Sequence, residues 1–226
     1  MIPLRDSTRS HSFPIVNITL IVLNILVFIK ELALPPQHLN AFFYTYGVIP
    51  AQVTTQLTAG APLLSIGIPF ISAIFLHGGW LHLVGNMLYL WIFGDNIEDR
   101  MGHLRYLFFY LLVGVIASIA HIIANPSSDI PIIGASGAIA GVLGAYFLAF
   151  PRAKILTLVP VFFFVTFIQV PAIIFLPVWF LIQIFNIFST AGMAANSVAW
   201  WAHIGGFIGG AVLLPFFSRS RHMPEQ

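Results

Sequence analysis

Four side chains in this chain have the types and spacing for acyl-transfer chemistry. Ser136 lies in the run Gly-Ala-Ser-Gly at 134–137, at the head of an apolar stretch, and His203 lies in Ala-His-Ile-Gly-Gly at 202–206. A serine within hydrogen-bond reach of a neutral histidine is a nucleophile with its general base. His82 and Asn86 are four residues apart, so on a helix they share one face. Their N–H groups, with the backbone N–H of Ser136 at a helix N-terminus, could stabilise the oxyanion of a tetrahedral intermediate. Close packing also selects a serine among glycines, and an intramembrane histidine can simply bond a neighbouring helix. His77 and His121 are read in that second way, and Trp80 as an interfacial anchor.

The elements that must position these residues are membrane helices. The 226 residues are 59% hydrophobic and 7% charged, with a mean hydropathy of +0.96, whereas soluble domains carry about 25% charged residues. The 22 phenylalanines suit lipid-facing and interfacial positions. The absence of cysteine removes disulfides, thiolate metal sites and cysteine nucleophiles. A net charge of +2 gives no basis for a nucleic-acid partner. The first 14 residues lack the design of a removable signal peptide, so the first apolar stretch is expected to remain as an anchor.

Crossing the hydrocarbon core takes roughly 20 apolar residues, and six stretches qualify: about 14–34, 70–93, 104–124, 132–150, 171–188 and 199–217. The expected organisation is one domain, with a tail at 1–13, a six-span core at 14–217 and a second tail at 218–226. Residues 35–69 form a long loop, read as a segment at the outer interface. Of nine Lys and Arg, only Lys30 falls away from the common end marked by Arg5, Arg9, Arg100, Arg105, Arg152, Lys154, Arg219 and Arg221. The positive-inside rule then places both termini in the cytoplasm. Residues 155–188 are broken by Pro160, Pro171 and Pro177 and are read as one crossing entered through an interfacial piece, because two crossings would put Arg219 and Arg221 outside.

With that topology Ser136 and His203 both fall near the outer ends of their spans. Ser136, Ala140 and Gly144 on span four, and Gly205, Gly206, Gly209 and Gly210 on span six, supply small-residue spacing that lets two helices approach closely. Gly78, Gly79 and Gly85 suggest a similarly close approach beside His82 and Asn86. All seven acids lie at ends or in loops, with Asp129 outside and exposed, so the expected constellation is a Ser136–His203 dyad without a third carboxylate.

On these residues the sequence resembles the rhomboid family of intramembrane serine proteases. The likeness is carried by Gly134–Gly137, Ala202–Gly206, the stretch His77–Met87 with His82 and Asn86, and a Glu-x-Arg element at Glu98 and Arg100. It covers residues 14–217. It implies an all-α, six-transmembrane-helix bundle with helices ringed around a shorter fourth span, and an active site below the membrane surface that opens to water from outside. By matching positions, Ser136 is the nucleophile and His203 the general base. His82 and Asn86 stand at the oxyanion site, with Gly134 grouped beside them. The resemblance implies no metal, nucleotide or other cofactor, and single-span membrane proteins as substrates. Where many relatives carry a Trp-Arg pair before span two, this chain has Gly67–Phe70. Where some place an aromatic ring after the nucleophile, it has Ala140, which leaves Trp200 or Trp201 to hold His203. Span five and the loop 189–197 are read as moving parts for substrate entry.

Two other functions are set against this one. An inactive relative that binds membrane-protein clients would lose the dyad, yet Ser136 and His203 are both present. A transporter or channel would spread polar residues across the full depth, yet the inner halves of spans four and six are apolar. The compact length favours a prokaryotic cell membrane, and the sequence leaves the oligomeric state open.

Overall fold

The computed structural model describes residues 2–161, 164–189 and 198–219. In chain order the elements are β1 (Ile2–Asp6), α1 (Ile15–Leu32), α2 (Pro36–Tyr46), α3 (Pro50–Thr58), α4 (Leu63–Ser72), a 3₁₀ turn at Ala73–Phe75, α5 (Trp80–Met101), α6 (His103–Ala124), α7 (Ser136–Ala149), β2 (Lys154–Val161), β3 (Phe164–Pro171), α8 (Ala172–Ser189) and α9 (Trp200–Phe217). α1, α6, α8 and α9 are each long and apolar enough to cross a bilayer, and α5 adds a crossing as part of a bent pair with α4. The chain is thus a multi-pass integral membrane protein. Apolar side chains such as Leu26 and Ile29 on α1, Phe185 and Phe188 on α8, and Phe216 on α9 point outward, as a lipid-facing surface requires.

α7 is the short helix of the bundle. Its 14 residues rise roughly 21 Å, less than the hydrocarbon thickness of about 30 Å. Its residues from Gly137 to Tyr146 are all buried, and it packs on α5, α6, α8 and α9. A helix apolar all round is stable only when surrounded. Its closest partner is α9, where a Cβ at Gly206 would overlap the Gly137 carbonyl oxygen, one at Gly210 the Gly141 carbonyl oxygen, and one at Gly144 the Phe207 carbonyl oxygen. The expected contact of spans four and six is therefore present. Gly205 and Gly209 instead face α6, against Ala120 and Ile116.

Three features depart from the sequence reading. The second span starts at Trp80 rather than near residue 70, because the chain turns by 87° between Phe75 and Trp80. His77 therefore lies in the connection and not on the span. The interfacial piece after α7 is a hairpin: β2 pairs antiparallel with β3 from Lys154↔Pro171 to Val161↔Phe164. Its Val, Ile, Thr and Phe content favours strands. Residues 2–6 are no free tail, since β1 pairs with β2 and completes a sheet in the order β1-β2-β3. Thr8 bonds Tyr146, and Ser12 bonds Asp99. One helix, α8, follows the hairpin, so 155–188 contains a single helical crossing.

The loop before α5 is helical and is held without a Trp-Arg pair. Val48 and Ile132 exchange backbone hydrogen bonds of 3.1 and 2.7 Å, and the Ser72 hydroxyl donates to the Tyr46 carbonyl at 2.7 Å. Val48, Val53, Ile66, Phe70, Ala73 and Ile132 form their own buried apolar cluster beneath it. Burial of this size fixes the loop over the end of the bundle where α7 begins.

Candidate active site

Ser136 is the first residue of α7, so its backbone N–H has no intrahelical partner. The turn that delivers it contains Gly134 at φ +115°, a backbone conformation that side chains disfavour. A Cβ there would lie 2.5 Å from His82 Nε2, so glycine is needed both for the turn and for the approach of His82. The Gly134 N–H donates to the Ala73 carbonyl at 2.8 Å. The Gly134 amide is thus committed to Ala73 and does not face an oxyanion, and what the structure shows of this residue is the space it leaves for His82.

Ser136 Oγ lies 2.8 Å from His203 Nε2. His203 is 8% exposed, in the first turn of α9, and its Nδ1 is 2.9 Å from Gln183 Oε1 on α8. Two indoles flank its ring: Trp200 edge-on at 5.7 Å between centroids and Trp179 tilted at 6.0 Å. Trp201 is exposed. Ala140 places no ring one turn after Ser136, and these tryptophans stand beside His203 instead.

His82 and Asn86 line the same cavity as Ser136 and His203, a space of about 890 Å³ at the end of the bundle opposite Arg100 and Arg152. The Gly78 N–H donates to His82 Nδ1 at 3.4 Å, which leaves the proton of a neutral His82 on Nε2, as a donor. Asn86 is held by His77. The Phe75 carbonyl can only accept, so His77 Nδ1, 3.3 Å away, carries the proton. His77 Nε2 then accepts from the Asn86 amide at 3.0 Å. The Glu31 carboxylate, 2% exposed in the last turn of α1, accepts from the His77 backbone N–H at 3.2 Å. Glu31 thus lies at a helix end, as expected, but buried inside the protein.

Among the described residues the expected close approach at Gly78, Gly79 and Gly85 is absent. Nothing stands within 4 Å of a Cβ at Gly79 or Gly85, and only ordinary contacts at Gly78. These glycines widen the cavity wall. Residues 190–197 of the loop before α9 lie outside the described residues, so the expectation placed on that loop is not addressed. Gln183 is the site neighbour that sequence reasoning missed, whereas His77 was read as a histidine bonded to a neighbour, with Asn86 not foreseen as that partner. Gln183 had a signal: it is an amide in an otherwise apolar crossing. Glu31 had none beyond its type.

Among the described residues no group of three His, Asp or Glu side chains could hold a metal ion. What the arrangement offers is a serine hydroxyl, an imidazole acceptor and a set of N–H donors around one cavity. Fold and cavity together define a multi-pass membrane protein with a serine–histidine pair at the head of a buried short helix. The chain belongs to the rhomboid family: the family model for the rhomboid domain matches residues 67–220, more than half of its length. It is 36% identical over 141 residues to the rhomboid protease GluP of Bacillus subtilis, covering 62% of this chain and 24% of that protein. It is 37% identical over 76 residues to the putative rhomboid protease YdcA of the same organism, covering 34% and 38%. To the presenilin-associated rhomboid-like protein A, mitochondrial, of Danio rerio it is 30% identical over 146 residues, covering 63% and 36%. The matched stretch is thus well under half the length of each of these relatives.

Proposed function

We propose that this chain is an intramembrane serine endopeptidase that cuts membrane proteins in or near their single transmembrane segment. The observation that carries the reading is the 2.8 Å contact between Ser136 Oγ and His203 Nε2 at the cavity wall. Family membership supports it, as do two relatives named as proteases. Ser136 attacks the scissile carbonyl while His203 Nε2 takes the hydroxyl proton. The oxyanion is met by the Ser136 backbone N–H, His82 Nε2–H and the second N–H of the Asn86 amide. His203 then returns the proton to the departing amine, and a water entering through the cavity hydrolyses the acyl-enzyme. By the positive-inside rule the cavity end faces the outside and both termini the cytoplasm.

The test is covalent labelling by a fluorophosphonate probe, together with cleavage of a single-span reporter, on the full chain in liposomes. Wild type is expected to label and cleave, and Ser136→Ala and His203→Ala to lose both. A folded wild type that neither labels nor cleaves would leave the second reading, an inactive relative that binds membrane-protein clients.

A further inference from the structure

Gln183 is 5% exposed on α8, a crossing with no charged residue. A buried amide in such a helix is costly unless its hydrogen bonds are made. Both of its ends are bonded. The Nε2 group donates to the Trp179 carbonyl at 2.9 Å, and Oε1 is 2.9 Å from His203 Nδ1. A backbone carbonyl can only accept, so Trp179 fixes the amide with its NH₂ toward itself and its oxygen toward the histidine. That oxygen can also only accept, so the proton of neutral His203 must sit on Nδ1. Nε2 is then a bare lone pair, 2.8 Å from Ser136 Oγ.

We infer that Gln183 is a positioning residue: held by the Trp179 carbonyl, it locks His203 in the tautomer whose Nε2 can accept the Ser136 proton. The inference rests on the protease reading for its consequence in turnover, not for the geometry itself. The proton balance is complete. Ser136 gives its proton to Nε2, Nδ1–H stays bonded to Gln183 Oε1 throughout, and the amide changes no charge. The other tautomer carries hydrogen on Nε2 and has no lone pair to offer the serine. A neutral amide suits this depth because a carboxylate would need desolvation without a cation beside it. The titratable groups that act on His203 electrostatically are His82 on α5 and His121 on α6, both histidines. Trp179 and Trp200 restrain the ring but make no hydrogen bond to Nδ1.

The experiment uses the full chain in liposomes with ¹⁵N-labelled histidine, the His203 signals being identified by their loss in His203→Ala. In wild type, Nδ1 is expected to show the shift of a protonated ring nitrogen and Nε2 that of a bare one. Gln183→Met keeps the side-chain length and removes both bonds. It is expected to mix the two tautomers and to lower kcat for a single-span reporter about 10- to 100-fold, with KM within about twofold. Gln183→Glu restores the acceptor but not the donor to Trp179, and is expected to recover part of kcat and to move the acid limb of the pH–rate profile to higher pH, because a carboxylate stabilises the imidazolium. A wild-type His203 protonated on Nε2 overturns the inference even if Gln183→Met fails to fold. So does a folded Gln183→Met with unchanged tautomer, kcat and pH profile. A wild type with the Nδ1–H tautomer that neither labels nor cleaves upholds the positioning and overturns the protease reading alone.

Discussion

At the scale of single residues, Gly134 shows how little of a site is chemistry and how much is room. Its positive φ and the proximity of His82 Nε2 both exclude a side chain. Gly134→Ala is expected to strain the turn by about 1 kcal/mol or more and to push His82 out of its place. The reporter should then be cleaved at least about tenfold more slowly, the order of a lost oxyanion donor, while the protein stays folded. Steady-state kinetics beside a denaturation curve checks this, and an unimpaired variant would remove His82 from the mechanism. The types Ser136, His203, His82 and Asn86 were legible in the sequence because polar groups in apolar spans stand out. The partners that orient them were less so. Gln183 reaches His203 from another helix, and His77 reaches Asn86 from a connection. Such pairings depend on helix rotation, which no spacing rule supplies.

At the scale of elements, the short buried helix α7 is held by backbone-to-backbone approach along α9. Gly210 is one of the two tightest points, where an added Cβ would run into the Gly141 backbone. Gly210→Val is expected to destabilise the protein by about 2–3 kcal/mol, the usual scale of overpacking in a tight interface. Gly67→Ala on α4, where a Cβ meets nothing within 4 Å, should be neutral or slightly stabilising through helix propensity. Unfolding both variants in the same denaturant separates the two. The neighbouring of α7 and α9 was readable from four-residue small spacing. The division of the α9 glycines was not: Gly206 and Gly210 meet α7 while Gly205 and Gly209 meet α6. The sheet escaped as well, because β1 and β2 are about 150 residues apart in the chain and the apolar run containing β2 and β3 also suits a helix.

At the scale of the whole molecule, the absence of cysteine makes orientation directly testable. A single cysteine at Thr58, exposed at the end of α3, should react with an impermeant thiol reagent on intact cells. One at Arg9, exposed beside the sheet, should react only after permeabilisation, and the reverse pattern would invert the proposed topology. Composition by itself determined that the chain lies in a membrane: 59% hydrophobic and 7% charged residues cannot cover a water-facing surface. The polar residues inside the spans and the one-sided Lys and Arg narrowed the site to one end. Tertiary structure alone decided which polar groups touch. Membrane insertion is driven by each segment's own hydropathy and is therefore written locally, whereas a 2.8 Å hydrogen bond between Ser136 and His203 depends on the depth, tilt and rotation of two helices set by every neighbour they pack against.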